Sequence, residues 1–154
     1  MAQHESSPPA HDPPPRRAHT GRCLCGAVAY EVRGPLRDVL ICHCEECRRW
    51  HGHVSASTAA AKEDLVLVEQ RGLRWIDSPR SDAGARRGFC AECGSSLFWD
   101  PPRRATISIA AGTLDTAAGL RVVSHWYVSQ AGEYYELPDD GLPHHERSGE
   151  GELP

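Results

Sequence analysis

Seven cysteines fall in three tight groups, Cys23-x-Cys25, Cys42-x-Cys44-x-x-Cys47 and Cys90-x-x-Cys93, and this pattern constrains the fold more than any apolar run does. Three cysteines within six residues can turn three sulfurs toward one point, and thiolate is the soft ligand that Zn²⁺ takes at about 2.3 Å. Pairing the outer groups makes a four-cysteine site that ties residue 23 to residue 93. It leaves Cys42, Cys44 and Cys47 as a three-cysteine site with one tetrahedral vertex open, and four plus three uses every cysteine. One mixed site with spare thiols is the other partition that the spacing allows. Gly26 follows Cys25 and Gly94 follows Cys93, as expected of two zinc knuckles in which the residue after the second ligand takes a positive φ.

Composition bounds what surrounds these sites. With 154 residues, 40% hydrophobic and 25% charged, the chain suits one globular domain. A net charge of −4 and a pI near 6.1 disfavour a general binder of phosphate backbones, so no nucleic-acid partner is expected. The apolar runs fall well short of the roughly 20 residues of a membrane helix, and the N-terminus lacks the apolar run of a signal peptide. No membrane association is expected, and a cytoplasmic location follows, where thiols stay reduced and available to zinc.

Residues 1–20 hold five of the twelve prolines and few large apolar side chains, and are expected to be a flexible tail, with His4, His11 and His19 solvated. From Gly141 the chain reads as fraying, and residues 147–154 as an acidic tail. Between the tails, Val28, Tyr30 and Val32 alternate along a strand over 27–33, and residues 39–42 form a strand that leads into the trio. A helical turn or two over Glu45–His51, stopped by Gly52, precedes a strand over 53–59. Further strands are expected over 65–69, 73–77, 87–89, 96–99, 106–110, 125–128 and 134–137. The fold class is therefore all-β, a zinc-stapled domain over 21–146 of many short strands and little helix.

Three segments carry a family resemblance: Gly21-Arg22-Cys23-Leu24-Cys25-Gly26-Ala27-Val28, Cys42-His43-Cys44-x-x-Cys47-Arg48-Arg49, and Gly88-Phe89-Cys90-x-x-Cys93-Gly94-Ser95. Ala111-Gly112-Thr113-Leu114-Asp115, His125 and Asp140-Gly141-Leu142-Pro143 add to them. The set resembles the glutathione-dependent formaldehyde-activating enzymes and their centromere protein V relatives, over about residues 20–146. The resemblance implies an Mss4-like zinc-bearing β-sandwich or barrel with two zinc ions, a structural one on Cys23, Cys25, Cys90 and Cys93 and a catalytic-type one on Cys42, Cys44 and Cys47. It implies a carbon-sulfur lyase whose partners are a small thiol such as glutathione and a small aldehyde, formaldehyde. The alternative within the family is a non-catalytic zinc-stabilised binding module. A methionine-R-sulfoxide reductase on the related fold needs a redox cysteine toward the C-terminus, and no cysteine follows Cys93.

The ligands support the enzyme reading on chemical grounds. Zinc held by three thiolates favours a soft incoming ligand over water, and a thiol bound there becomes the thiolate that attacks a carbonyl. Other side chains have assigned expectations. His51 and His53 are candidates to close the fourth vertex, where relatives commonly carry Ser or Thr before the glycine and a small residue after it. Arg48 and Arg49 are candidates to meet the carboxylates of a tripeptide thiol. His43 is either a donor behind the metal ligands or solvent-facing, and His125 is a structural histidine or a proton shuttle. Trp50, Trp75, Trp99 and Trp126 read as core, and Asp115 as a turn residue. Ala131-Gly132-Glu133-Tyr134-Tyr135 replaces the Pro-Trp that relatives often show before the tyrosine, which points to an altered pocket wall.

Overall fold

The computed structural model of the chain describes residues 18–81, 84–116 and 119–148. In chain order the elements are β1 (His19–Arg22), β2 (Ala29–Val32), β3 (Val39–Cys42), the helix α1 (Glu45–His51), β4 (Ser55–Ala61), β5 (Leu65–Glu69), β6 (Leu73–Asp77), β7 (Arg86–Cys90), β8 (Ser96–Asp100), β9 (Thr106–Ala110), β10 (Val122–Trp126) and β11 (His144–His145). They form a three-stranded sheet, β1-β2-β5, and an eight-stranded sheet, β11-β10-β3-β4-β9-β8-β7-β6. The result is a small all-β fold of the Mss4-like type. Most neighbours are antiparallel, but β10 lies parallel to β3 and β11 parallel to β10, so the C-terminal third of the chain returns to the edge of the first metal-bearing strand.

The core joins the two sheets. Val28, Tyr30 and Val32 are buried as their alternation predicts, and they pack in one cluster with Leu97, Phe98, Ile107 and Ile109 from the larger sheet. The Tyr30 ring meets Phe98 edge-on at 5.3 Å, and its hydroxyl pairs with Thr113 Oγ1 at 2.7 Å, which satisfies the polar tip of a buried aromatic. Burial also pushes the Tyr30 phenol up to about 12.

Several boundaries differ from expectation for identifiable reasons. The strand expected over 125–128 begins at Val122 and stops at Trp126, because Tyr127 adopts φ 58° and ψ 41°, a left-handed conformation that ends extension. Residues 134–137 are not a strand: Tyr135 N–H returns to Gly132 O at 3.4 Å in a turn, and both tyrosines point to histidines. The strand expected over 53–59 runs from Ser55 to Ala61, after the left-handed cap at Gly52. The ends are also more anchored than expected. His19 and Thr20 pair with Val32 and Glu31; beyond Gly141, His144 and His145 pair with β10, and Arg147 O accepts from Tyr127 N–H at 3.4 Å. Residues 1–17, with His4 and His11, and 149–154 lie outside the described residues.

Candidate metal centres

The four-cysteine group assembles from two knuckles. Cys23 N–H bonds Val28 O at 2.9 Å and Gly94 N–H bonds Cys90 O at 2.8 Å, and Gly26 and Gly94 take φ of 80° and 77°, a conformation open to glycine at no steric cost. Ser95 links the knuckles: its hydroxyl accepts from Leu24 N–H at 3.1 Å and lies 3.2 Å from Cys93 Sγ. The four sulfurs lie within 4.8 Å of one another, with Cys23 to Cys25 at 3.6 Å and Cys25 to Cys90 at 3.8 Å. These separations are too long for disulfides and close to the roughly 3.8 Å edge of a tetrahedron with 2.3 Å zinc-sulfur bonds. The donor set fits zinc.

The trio is built differently, on the end of a strand and the first turn of a helix. Cys42 closes β3 and is buried. Cys44 is the N-cap of α1, where its sulfur accepts from Cys47 N–H at 3.3 Å, and Cys47 follows one turn later. Capping thus turns Cys44 and Cys47 inward together. Glu45 and Glu46 in the first turn and Arg48, Arg49 and His51 in the last suit the helix dipole. The three sulfurs also lie within 4.8 Å of one another. Hydrogen bonds from Cys42 and Cys47 pull the Cys44 thiol far down, while Cys44, Cys47 and burial push Cys42 up; three sulfurs this close can hold zinc once the cation displaces their protons. Neither His51 nor His53 joins the sulfur cluster; His53 Nδ1 is engaged by Tyr134 Oη at 2.9 Å.

The trio opens onto a cleft of about 1470 Å³, whose lining includes Cys42, Cys44, Cys47 and His51 but no member of the four-cysteine group. Helix α1 is pinned across it. Trp50 Nε1–H donates to Ser96 Oγ at 2.6 Å, and Glu46 meets Ser78 and the buried Arg87, 3.5 Å away. Burial, with Arg87 nearby, pulls the His51 imidazole down to about 4, so it is neutral at neutral pH.

Several expectations about the cleft need correction. Arg48 is spent on backbone, donating to His43 O at 3.2 Å and Gln130 O at 3.1 Å, and Arg49 pairs with Glu45 at 2.8 Å. The arginines that line the cleft are Arg37, Arg80, Arg87 and Arg104, which no local motif distinguishes from other arginines. Trp99 and Trp126 are half-buried cleft walls rather than core, with Arg104 and Arg37 over their rings at 5.8 and 5.9 Å. Asp115, expected as a turn residue, also accepts from Thr20 Oγ1 at 2.9 Å and pairs with Arg22 at 3.1 Å.

Behind the trio lies a polar chain that spacing did not reveal. His43 is buried rather than solvent-facing, with Nδ1 2.8 Å from Tyr135 Oη and Nε2 3.0 Å from His125 Nδ1. His125 Nε2 lies 3.0 Å from Asp140 Oδ2. The carboxylate only accepts, so with both imidazoles neutral the chain runs from Tyr135 O–H to His43, from His43 Nε2–H to His125, and from His125 Nε2–H to Asp140. Burial and the neighbouring His125 hold His43 below its ordinary pKa, and the His125 hydrogen bond holds Asp140 below the usual carboxylate range.

Similarity to known proteins agrees with this geometry. Among curated proteins none matches the chain significantly. A crystal structure of a Rhodobacter sphaeroides protein superposes with a TM-score of 0.51 at 24% identity, covering 81% of this chain and 98% of that one, a likeness of fold. The family described as glutathione-dependent formaldehyde-activating enzyme matches residues 18–130. That span takes in both cysteine clusters and well over half of the chain, which therefore belongs to the glutathione-dependent formaldehyde-activating enzyme family.

Proposed function

We propose that the protein is a zinc-dependent carbon-sulfur lyase that forms or cleaves an S-hydroxymethyl thiol adduct at Cys42, Cys44 and Cys47, with a second, structural zinc on Cys23, Cys25, Cys90 and Cys93. The observation that carries the reading is the asymmetry of the clusters: the three-sulfur group lines the large cleft and the four-sulfur group does not. A closed four-ligand set suits a structural ion, and a three-ligand set beside open space suits a reactive one.

Bound at the trio, zinc would supply an acidified, soft-metal position for a thiol. The chain's own residues provide the rest. Arg37 and Arg104 present guanidinium groups to the carboxylates of a peptide thiol, and Trp99 and Trp126 wall its apolar parts. Neutral His51 offers an acceptor nitrogen for the thiol proton. In the forward direction the sulfur-carbon bond forms as the carbonyl double bond of formaldehyde becomes a single bond, and the thiol proton ends on its oxygen. The reverse breaks that bond and returns the proton to sulfur. Holding thiol and aldehyde together supplies proximity as well as activation.

Cobalt substitution tests this. Glutathione added to the cobalt protein should strengthen sulfur-to-metal charge transfer, and formaldehyde should then perturb it as the bound thiolate becomes a thioether-like adduct. A silent wild type that turns responsive in His51→Ala would show the vertex closed by protein and would favour the binding-module reading. His53→Ala should leave the response unchanged, because His53 lies outside the sulfur cluster and the cleft lining and its Nδ1 is engaged by Tyr134.

A further inference from the structure

We propose that His125, Asp140 and His144 form a third metal site, for a divalent cation of the nitrogen- and oxygen-favouring kind such as Co²⁺, Ni²⁺ or Zn²⁺, on the face of the sheet edge behind the trio. One ligand atom from each of the three lies within 4.8 Å of the others. Backbone structure sets this up: β11 runs parallel to β10 with His144 directly opposite His125, and His125 N–H bonds Pro143 O at 2.9 Å. The two imidazoles stand edge to face at 5.0 Å. Asp140 is oriented by Leu142 N–H on Oδ1 at 3.1 Å, which leaves Oδ2 for the histidines.

Hydrogen bonding joins Asp140 to His125, while among the described residues the exposed His144 side chain makes no hydrogen bond, so its ring is available to a cation that the other two can also reach. Two imidazoles and one carboxylate bind borderline divalent metals, and this set is harder than the thiolate clusters, so a cation here gives no sulfur-to-metal charge transfer. His125 is buried and fixed, whereas Asp140 and His144 are exposed and give the cation a path from solvent.

The polar chain supplies what a metal-bound histidine needs on its far side, a fixed partner for the other ring nitrogen. With the cation on His125 Nε2, the proton sits on Nδ1 and is donated to His43 Nε2, and His43 Nδ1–H is donated to Tyr135 Oη. The chain keeps the same number of protons, reverses its direction and leaves no buried nitrogen unpaired. The third site is thereby linked to the residue between Cys42 and Cys44.

The test is a cobalt titration of the full chain with its cysteine sites already loaded with zinc, read by metal analysis after equilibrium dialysis and by visible absorption. The wild type should take up one further equivalent, with ligand-field bands and no sulfur-to-cobalt charge transfer. His144→Ala and Asp140→Asn should lose that equivalent while keeping the zinc and the circular dichroism of the wild type, and His145→Ala should retain it. Equal uptake by wild type and His144→Ala, or an added equivalent that brings charge transfer with it, would overturn the proposal.

Discussion

His43 Nε2 lies 3.0 Å from His125 Nδ1 across 82 residues of chain. The contact fastens the loop between Cys42 and Cys44 to the C-terminal strand β10, and a backbone bond from His43 N–H to Trp126 O at 2.9 Å reinforces it. Both rings are buried, so removing one leaves the other a polar group without its partner, at a cost of about 1–3 kcal/mol. His43→Ala should therefore lower the free energy of unfolding by that amount and speed zinc loss to a chelator from the trio. Unchanged stability with unchanged zinc release would show that the chain does not support the site.

The two cysteine clusters should respond differently to loss of a ligand. Binding free energy at a structural zinc site is folding free energy, on the order of 10 kcal/mol for a complete site. Cys93→Ser should lose soluble yield and cooperative melting. Cys47→Ser should remain folded, lose one zinc by metal analysis and lose turnover of glutathione with formaldehyde. Equal unfolding of both variants would make the trio structural.

The cleft arginines should act on binding more than on chemistry. A hydrogen bond to a charged group contributes about 1.5 kcal/mol, which is about tenfold in affinity. Arg104→Ala should raise KM about tenfold for glutathione and leave a small thiol without carboxylates unaffected. Arg49→Ala, whose partner is Glu45 on the same helix, should change neither.

Asp100 gives a pH-dependent term in stability. Burial raises its pKa, but hydrogen bonds from Lys62 and Arg86 outweigh that and leave the carboxyl below its ordinary value, with ion pairs of 2.6 and 2.8 Å. A depressed folded pKa means stability that is present above the unfolded value, about 3.9, and lost as pH falls through the folded one. Asp100→Asn should cost about 1–3 kcal/mol at pH 7, and the gap to wild type should close in urea melts carried below pH 4. A gap independent of pH would mean that lost packing, not charge, is responsible.

Local chemistry made much of this protein legible in its sequence. A cysteine, the spacing to the next one and the glycine behind it are decided within a few residues, so the clusters, the knuckles, the helix after Cys44 and the buried alternation of β2 follow from the chain itself. The cleft and the polar chain do not. Arg37, Arg87 and Arg104 line the same cleft as the trio while Arg48, one residue from Cys47, is spent on backbone, because sheet order rather than sequence distance decides which side chains share a space. His43, His125, Tyr135, Asp140 and His144 meet only through the parallel return of β10 and β11 to β3. A parallel pairing brings together residues far apart in the chain and leaves no short-range pattern in the sequence, so only the folded structure decided that those five residues would be neighbours.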